Sequence, residues 1–143
     1  MGYVILIIGI FILEFWIKNQ VEKGDGGEKL ILNNRVLLRR HYNKGAMFNF
    51  MEGKRKIVAF FSAIMTVFVF FLFLYEMGIK KRAWKKLGLS LLLGGGISNS
   101  YDRIVRKYVV DYFSFNVRWN WLRKMIFNLS DFSIFLGALF TSL

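Results

Sequence analysis

Residues 57–75 are 19 consecutive uncharged residues between Lys56 and Glu76. Wound as a helix at ~1.5 Å per residue, this block is ~28 Å long, the hydrocarbon thickness of a bilayer. Three further apolar blocks follow the same logic. Residues 3–17 are broken only by Glu14, and residues 125–143 hold one charge, Asp131. Residues 87–101 are shorter, but Lys85, Lys86 and Arg103 flank them and can snorkel to the interface. The expected fold is membrane α-helical: a four-span transmembrane bundle in a single domain, 1–143, with spans near 3–17, 57–75, 87–101 and 125–143. Charged residues still make up 21% of the chain, so they must gather between the blocks.

Two long connections carry that polar material. Residues 19–56 open with Gly24-Asp25-Gly26-Gly27, and then two short apolar runs, 30–32 and 36–38, flank Asn33-Asn34. Apolar runs joined by such a turn predict a hairpin, here an extracytoplasmic β-structured flap, or cradle, resting on the membrane. The second outer segment, 102–124, contains the strand-like Tyr108-Val109-Val110-Asp111-Tyr112-Phe113 and two interfacial anchors, Trp119 and Trp121.

The net charge of +12 suits nucleic acid or anionic lipid. Because the basic residues flank apolar blocks, membrane lipids are the expected partner and nucleic acid is not. The short turn 78–86 holds Lys80, Lys81, Arg82, Lys85 and Lys86 with no acid, which places it in the cytoplasm. Both termini are then cytoplasmic and both long connections lie outside. The first block runs into Glu14 and Lys18 without a small-residue cleavage pattern, so it reads as a retained span. Glu14 and Lys18, four residues apart, make an ion pair on one helix face.

The absence of Cys removes thiol nucleophiles and Cys-based metal sites, and a lone His41 supports neither a His-rich metal site nor a Ser-His-Asp triad. No cofactor or metal is expected. What stands out instead is carboxylates where charge is costly, ~2.5–3.5 kcal/mol in mid-span. Asp131 lies about six residues into the fourth block, ~9 Å deep if the helix starts at Met125. Asp102 lies at the outer end of the third. Antiparallel spans bring these two ends to one level, where the carboxylates can meet, share a proton and activate a water. The same residues also suit a structural role: Asp102 as a helix end beside Arg103, Asp131 paired with Arg103 or Lys18. A proton-relaying transporter is a further class consistent with intramembrane acids.

Four stretches resemble signal peptidase II, the lipoprotein signal peptidase of bacteria, in the right order. They are Asn43-Lys44-Gly45-Ala46-Met47-Phe48, Asn99-Ser100-Tyr101-Asp102-Arg103, Val109-Val110-Asp111 and Phe127-Asn128-Leu129-Ser130-Asp131, with Gly137 six residues beyond. The resemblance implies an intramembrane aspartyl endopeptidase of the bacterial cytoplasmic membrane, active near its outer face. Its substrates are diacylglyceryl-modified prolipoproteins, cut before the lipidated cysteine, and it works as a monomer. Carried over by motif, the resemblance puts the catalytic dyad at Asp102 and Asp131. Asn99 and Asn128 support it, Arg103 holds a carbonyl or a loop, Asn43 and Gly45 lie over the cleft, and Asp111 orients its neighbours. Departures from the family pattern are Glu14 for an aspartate, Ser98 for a glycine, and Ser114 and Ser130 for an aspartate and an alanine. Glu14, Ser98 and Ser130 motivate the alternative of a catalytically weak paralogue that binds lipoproteins or signal helices without cutting them.

Overall fold

A computed structural model describes residues 1–45 and 52–143. Ala46, Met47 and Phe48, the end of the first motif stretch, lie outside the described residues. The elements, in order, are α1 (Gly2–Lys23), β1 (Lys29–Ile31), β2 (Val36–Asn43), α2 (Arg55–Met77), α3 (Ala83–Tyr101), β3 (Val109–Phe115), α4 (Asn120–Lys124) and α5 (Leu129–Thr141). A π-helical turn, Asp102–Arg106, prolongs α3.

Among the described residues, two helices, α1 and α2, are long and apolar enough to cross a membrane. Both leave large apolar side chains exposed: Ile5, Ile12 and Trp16 on α1, and Phe60, Phe61, Phe68, Phe71 and Tyr75 on α2. Such a surface suits lipid. The α3 helix is their opposite. It packs against α1, α2 and α5, and it buries Leu89, Leu93, Gly94, Gly95, Ser98, Asn99 and Ser100. The apolar core is Phe73 of α2 against Leu89 and Leu93.

Three consecutive glycines explain how α3 serves three neighbours. Successive helical residues are rotated by ~100°, so each faces a different helix. A Cβ built on Gly94 meets Ile10 of α1 at 2.9 Å, one on Gly95 meets the Ser130 carbonyl oxygen of α5 at 2.5 Å, and one on Gly96 meets Thr66 of α2 at 3.1 Å. Small residues at a crossing let backbones approach. Gly95 is the least replaceable of the three, because its neighbour is backbone and cannot turn aside. Gly95→Ala is expected to force α3 from α5, costing about 1–3 kcal/mol as overpacking, read as a lower thermal midpoint in detergent.

The β-strands form one antiparallel sheet in the order β1-β2-β3. The hairpin forms around Asn33-Asn34 as expected: Ile31 pairs with Val36, and Leu32, Asn33 and Asn34 all take positive φ. The third strand is the Val-Val-Asp segment, with Asn43 opposite Val109 and His41 opposite Asp111. Pairing of two segments 68 residues apart thus brings Asn43 beside Asp111.

Two helix boundaries differ from the sequence expectation. The first helix continues beyond residue 17 to Lys23, because Glu14 and Lys18 are fully buried against protein and end nothing. The last helix starts at Leu129, not Met125. Phe127 is instead bridged to Phe113 of β3, with a 2.7 Å bond from the Phe127 N–H to the Phe113 carbonyl. Asn128 then caps the helix. Asp131 is therefore the third helical residue, in the first turn of the helix.

Candidate active site

A cavity of about 820 Å³ opens between the sheet and the helix ends. Its polar lining includes His41, Asn43, Asn99, Arg103, Asp111 and Asp131. Its apolar wall includes Trp121, Met125, Phe127, Phe132, Ile134 and Phe135.

Asp131 is held by its own helix start. Its N–H donates to Asn128 Oδ1 at 3.0 Å, and its Oδ2 accepts the Asn128 N–H at 3.1 Å, a reciprocal capping box. Its Oδ1 accepts from Asn99 Nδ2 at 3.0 Å. Asp111 enters from β3. Its Oδ1 accepts from Asn128 Nδ2 at 2.8 Å and its Oδ2 from Asn43 Nδ2 at 3.1 Å. Asn128 therefore serves both acids, Asp131 through its backbone and side-chain oxygen and Asp111 through its amide nitrogen. Burial, and next the charge of Asp131, push the Asp111 carboxyl up to about 7.

The amide orientations are set from behind. Lys18 Nζ donates to Asn99 Oδ1 at 3.1 Å, which turns the Asn99 nitrogen toward Asp131. The Asn43 oxygen is engaged likewise, accepting the Gly45 N–H at 3.0 Å. Arg103 reaches the cavity from the π-helical turn and donates to the Asn99 carbonyl at 3.3 Å and to Ser62 Oγ at 3.5 Å. Its buried Nε has no partner among the described residues.

Asp102 is placed differently from the sequence expectation. Its Oδ2 sits 2.9 Å from Lys18 Nζ and its Oδ1 sits 3.0 Å from Arg106 Nε. It is 2% exposed and does not line the cavity. The cause is local geometry: the turn after α3 is π-helical, closed by the Lys107 N–H on the Asp102 carbonyl, and it aims Arg103 at the cavity while Asp102 faces α1. The carboxylate that shares the cavity with Asp131 is Asp111. Glu14 and Lys18 are paired at 4.0 Å, but the nearer partner of Lys18 is Asp102. Arg106 and Tyr112 support these groups from outside the cavity and were not anticipated: Arg106 pairs with Asp102, and Tyr112 bonds Glu14 and the Leu129 N–H. Arg106 had a signal in its i, i+4 spacing from Asp102, while Tyr112 had none. Of the four departures, Ser98 accepts from Lys18 at 3.1 Å. The buried hydroxyls of Ser114 and Ser130 have no partner among the described residues.

Comparison with known proteins fits this arrangement. The model of the family described as signal peptidase (SPase) II matches residues 4–143. The chain belongs to the signal peptidase II family. A lipoprotein signal peptidase of Caldicellulosiruptor bescii is 34% identical over 140 residues, covering 97% of this chain and 87% of that protein. Another, from Clostridioides difficile, is 30% identical and covers 96% and 87%. Two solved bacterial membrane enzyme structures share the fold with TM-scores of 0.79 and 0.77 at 22% identity, covering 97% of this chain and 84% and 88% of theirs. Family membership supports a protease that processes lipoproteins. Each of the four ordered stretches contributes to the cavity lining: Asn43 from the first, Asn99 and Arg103 from the second, Val109 and Asp111 from the third, and Phe127 and Asp131 from the fourth.

Proposed function

We propose that this protein is an intramembrane aspartyl endopeptidase that removes the signal peptide from diacylglyceryl-modified prolipoproteins, cutting before the lipidated cysteine, with Asp111 and Asp131 as the catalytic pair. The observation that carries the reading is that these two carboxylates line one cavity and share Asn128, while Asp102 is neutralised outside it. The pair replaces the Asp102–Asp131 dyad expected from the motifs.

The chemistry follows from the environment of each acid. Two neighbouring buried carboxylates hold one proton between them. Both acids accept an N–H bond on each oxygen, but Asp131 stands in the first turn of α5, where the helix dipole favours its anion, and burial beside Asp131 pushes Asp111 up to about 7, so Asp111 keeps the proton. Ionised Asp131 takes a proton from water as the water oxygen bonds to the scissile carbonyl carbon. Asp111 gives its proton to the carbonyl oxygen. On collapse, the C–N bond breaks, the amine leaves with the proton carried by Asp131, and one hydroxyl proton of the diol returns to Asp111 as the new carboxyl C=O forms, which restores both acids. Arg103 borders the same space and supplies a fixed positive charge. The apolar wall of Phe127, Phe132 and Phe135 suits the lipid-bearing end of a signal helix. In this reading the chain spans the bacterial cytoplasmic membrane four times as a monomer, with both termini cytoplasmic and the sheet outside as a cradle.

The test is to reconstitute the protein with a diacylglyceryl prolipoprotein and follow the product by mass. Release of a signal peptide with a diacylglyceryl-cysteine N-terminus on the mature chain is expected. Binding without release, in a folded preparation, sinks the proposal. A pH dependence follows as well. Asp111 is protonated below about 7 and ionised above it, so kcat/KM is expected to fall as pH rises through that value, the pair titrating as a unit. An activity that stays level to pH 9 contradicts Asp111 as the proton donor.

A further inference from the structure

The first turn of a helix leaves N–H groups without intrahelical partners. In α5 each of them has found a specific acceptor, and two of the acceptors lie outside the helix and its cap. The Leu129 N–H donates to the Tyr112 hydroxyl oxygen at 3.0 Å. The Ser130 N–H donates to Glu14 Oε1. The Asp131 N–H donates to Asn128. Tyr112 Oη in turn donates to Glu14 Oε2 at 3.1 Å, closing a ring among β3, α1 and α5. Glu14 is wholly buried and Tyr112 nearly so.

Tyr112 follows Asp111 directly in β3. Alternation along a strand sends the two side chains to opposite faces, Asp111 to the cavity and Tyr112 to the helix start behind it. The Tyr112 N–H also binds the Phe127 carbonyl at 2.9 Å, so the strand grips the chain on both sides of the Asn128 cap. Adjacent residues of one short strand therefore carry one carboxylate and hold the helix turn that carries the other.

We propose that Tyr112, through its hydroxyl and with Glu14 as its acceptor, is a positioning residue that sets where Asp131 stands relative to Asp111. The inference rests on the reading of that pair as catalytic. Tyr112→Phe keeps the ring and removes both hydroxyl bonds. The first turn of α5 is then free to shift, and a displacement near 1 Å at a reacting group costs up to about 10²-fold in rate. In the proposed function substrate is held chiefly by the apolar wall and Arg103, and the Tyr112 hydroxyl bonds neither.

The experiment measures kcat and KM for diacylglyceryl prolipoprotein cleavage by the full chain in lipid, alongside its thermal midpoint. For Tyr112→Phe, kcat is expected to fall about 10–100-fold with KM within twofold of wild type. Wild-type kcat in Tyr112→Phe, with Asp131→Asn inactive, overturns the positioning role and leaves the catalytic pair standing. Cleavage by Asp131→Asn overturns both. Should Tyr112→Phe lose its cooperative unfolding, hydrogen exchange on the wild-type protein decides. The Leu129 and Ser130 amides are expected to be as protected as the interior of α5. Exchange at the rate of an uncapped first turn overturns the proposal.

Discussion

Asp111→Asn is expected to lower kcat for prolipoprotein cleavage by about 10²–10⁴-fold, the range for removing a general acid, while leaving the thermal midpoint near wild type. Asn is close to isosteric with a protonated Asp, and Asp111 is the acid whose proton the site retains up to about pH 7. The Asn43 and Asn128 amides that now donate to its oxygens can still donate to one carbonyl oxygen. Asp102→Asn is the decisive contrast. It strands Lys18 and Arg106 beside a neutral group in a buried place, so its first effect is lost stability, with kcat falling only as the fold loosens. Paired measurements of midpoint and single-turnover rate on both variants separate the two acids. A stable, inactive Asp102→Asn together with an active Asp111→Asn restores the dyad expected from sequence and removes the one proposed here.

Lys18→Met is expected to destabilise the protein by about 3–5 kcal/mol, the cost of removing one partner from a buried ion pair. Lys18 is wholly buried and serves Asp102, Ser98, Asn99 and Glu14 together. Met keeps the apolar stem and removes only the ammonium. The carboxylates left behind are then short of positive charge, since only Arg106 still faces Asp102. Adding Asp102→Asn to Lys18→Met is expected to recover part of the loss, because the uncompensated charge is then gone. The double-mutant cycle in thermal or denaturant unfolding measures that coupling. Strict additivity of the two substitutions contradicts the pairing. The same Lys18→Met change frees the Asn99 amide to turn, so its surviving folded fraction is also expected to cleave slowly.

Much of the architecture was legible in the sequence because it depends on local pattern. The uncharged run between Lys56 and Glu76 marked α2 to within a few residues. Asn33-Asn34 marked the hairpin turn, and the Val109-Val110 run marked the strand. Boundaries failed where a tertiary partner overrode the local signal. Met125 to Phe127 are as apolar as a helix start, yet Phe127 pairs with β3, and the Asn128 cap postpones the helix. Lys18 looks like the end of a span, yet α1 runs on because the ammonium meets acids inside the protein.

The candidate site divides along the same line. Composition by itself pointed the chemistry to carboxylates and amides, since the chain has no Cys and a single His, and motif order named Asp102 and Asp131 as the pair with Asn43, Gly45, Asn99, Arg103, Asp111 and Asn128 around them. Which acids face one another was a matter for the tertiary structure. Asp102 directly follows α3 and Asp111 lies near the start of β3, each at the edge of an element. They are told apart by a π-helical turn that directs Asp102 to Lys18 and Arg106, and by a strand whose parity delivers Asp111 to Asn128. The sequence names the ionisable groups, but their partners arrive from residues up to 116 positions away, as Glu14 does at Ser130, and a charge in a low-dielectric interior is defined by the partner it finds.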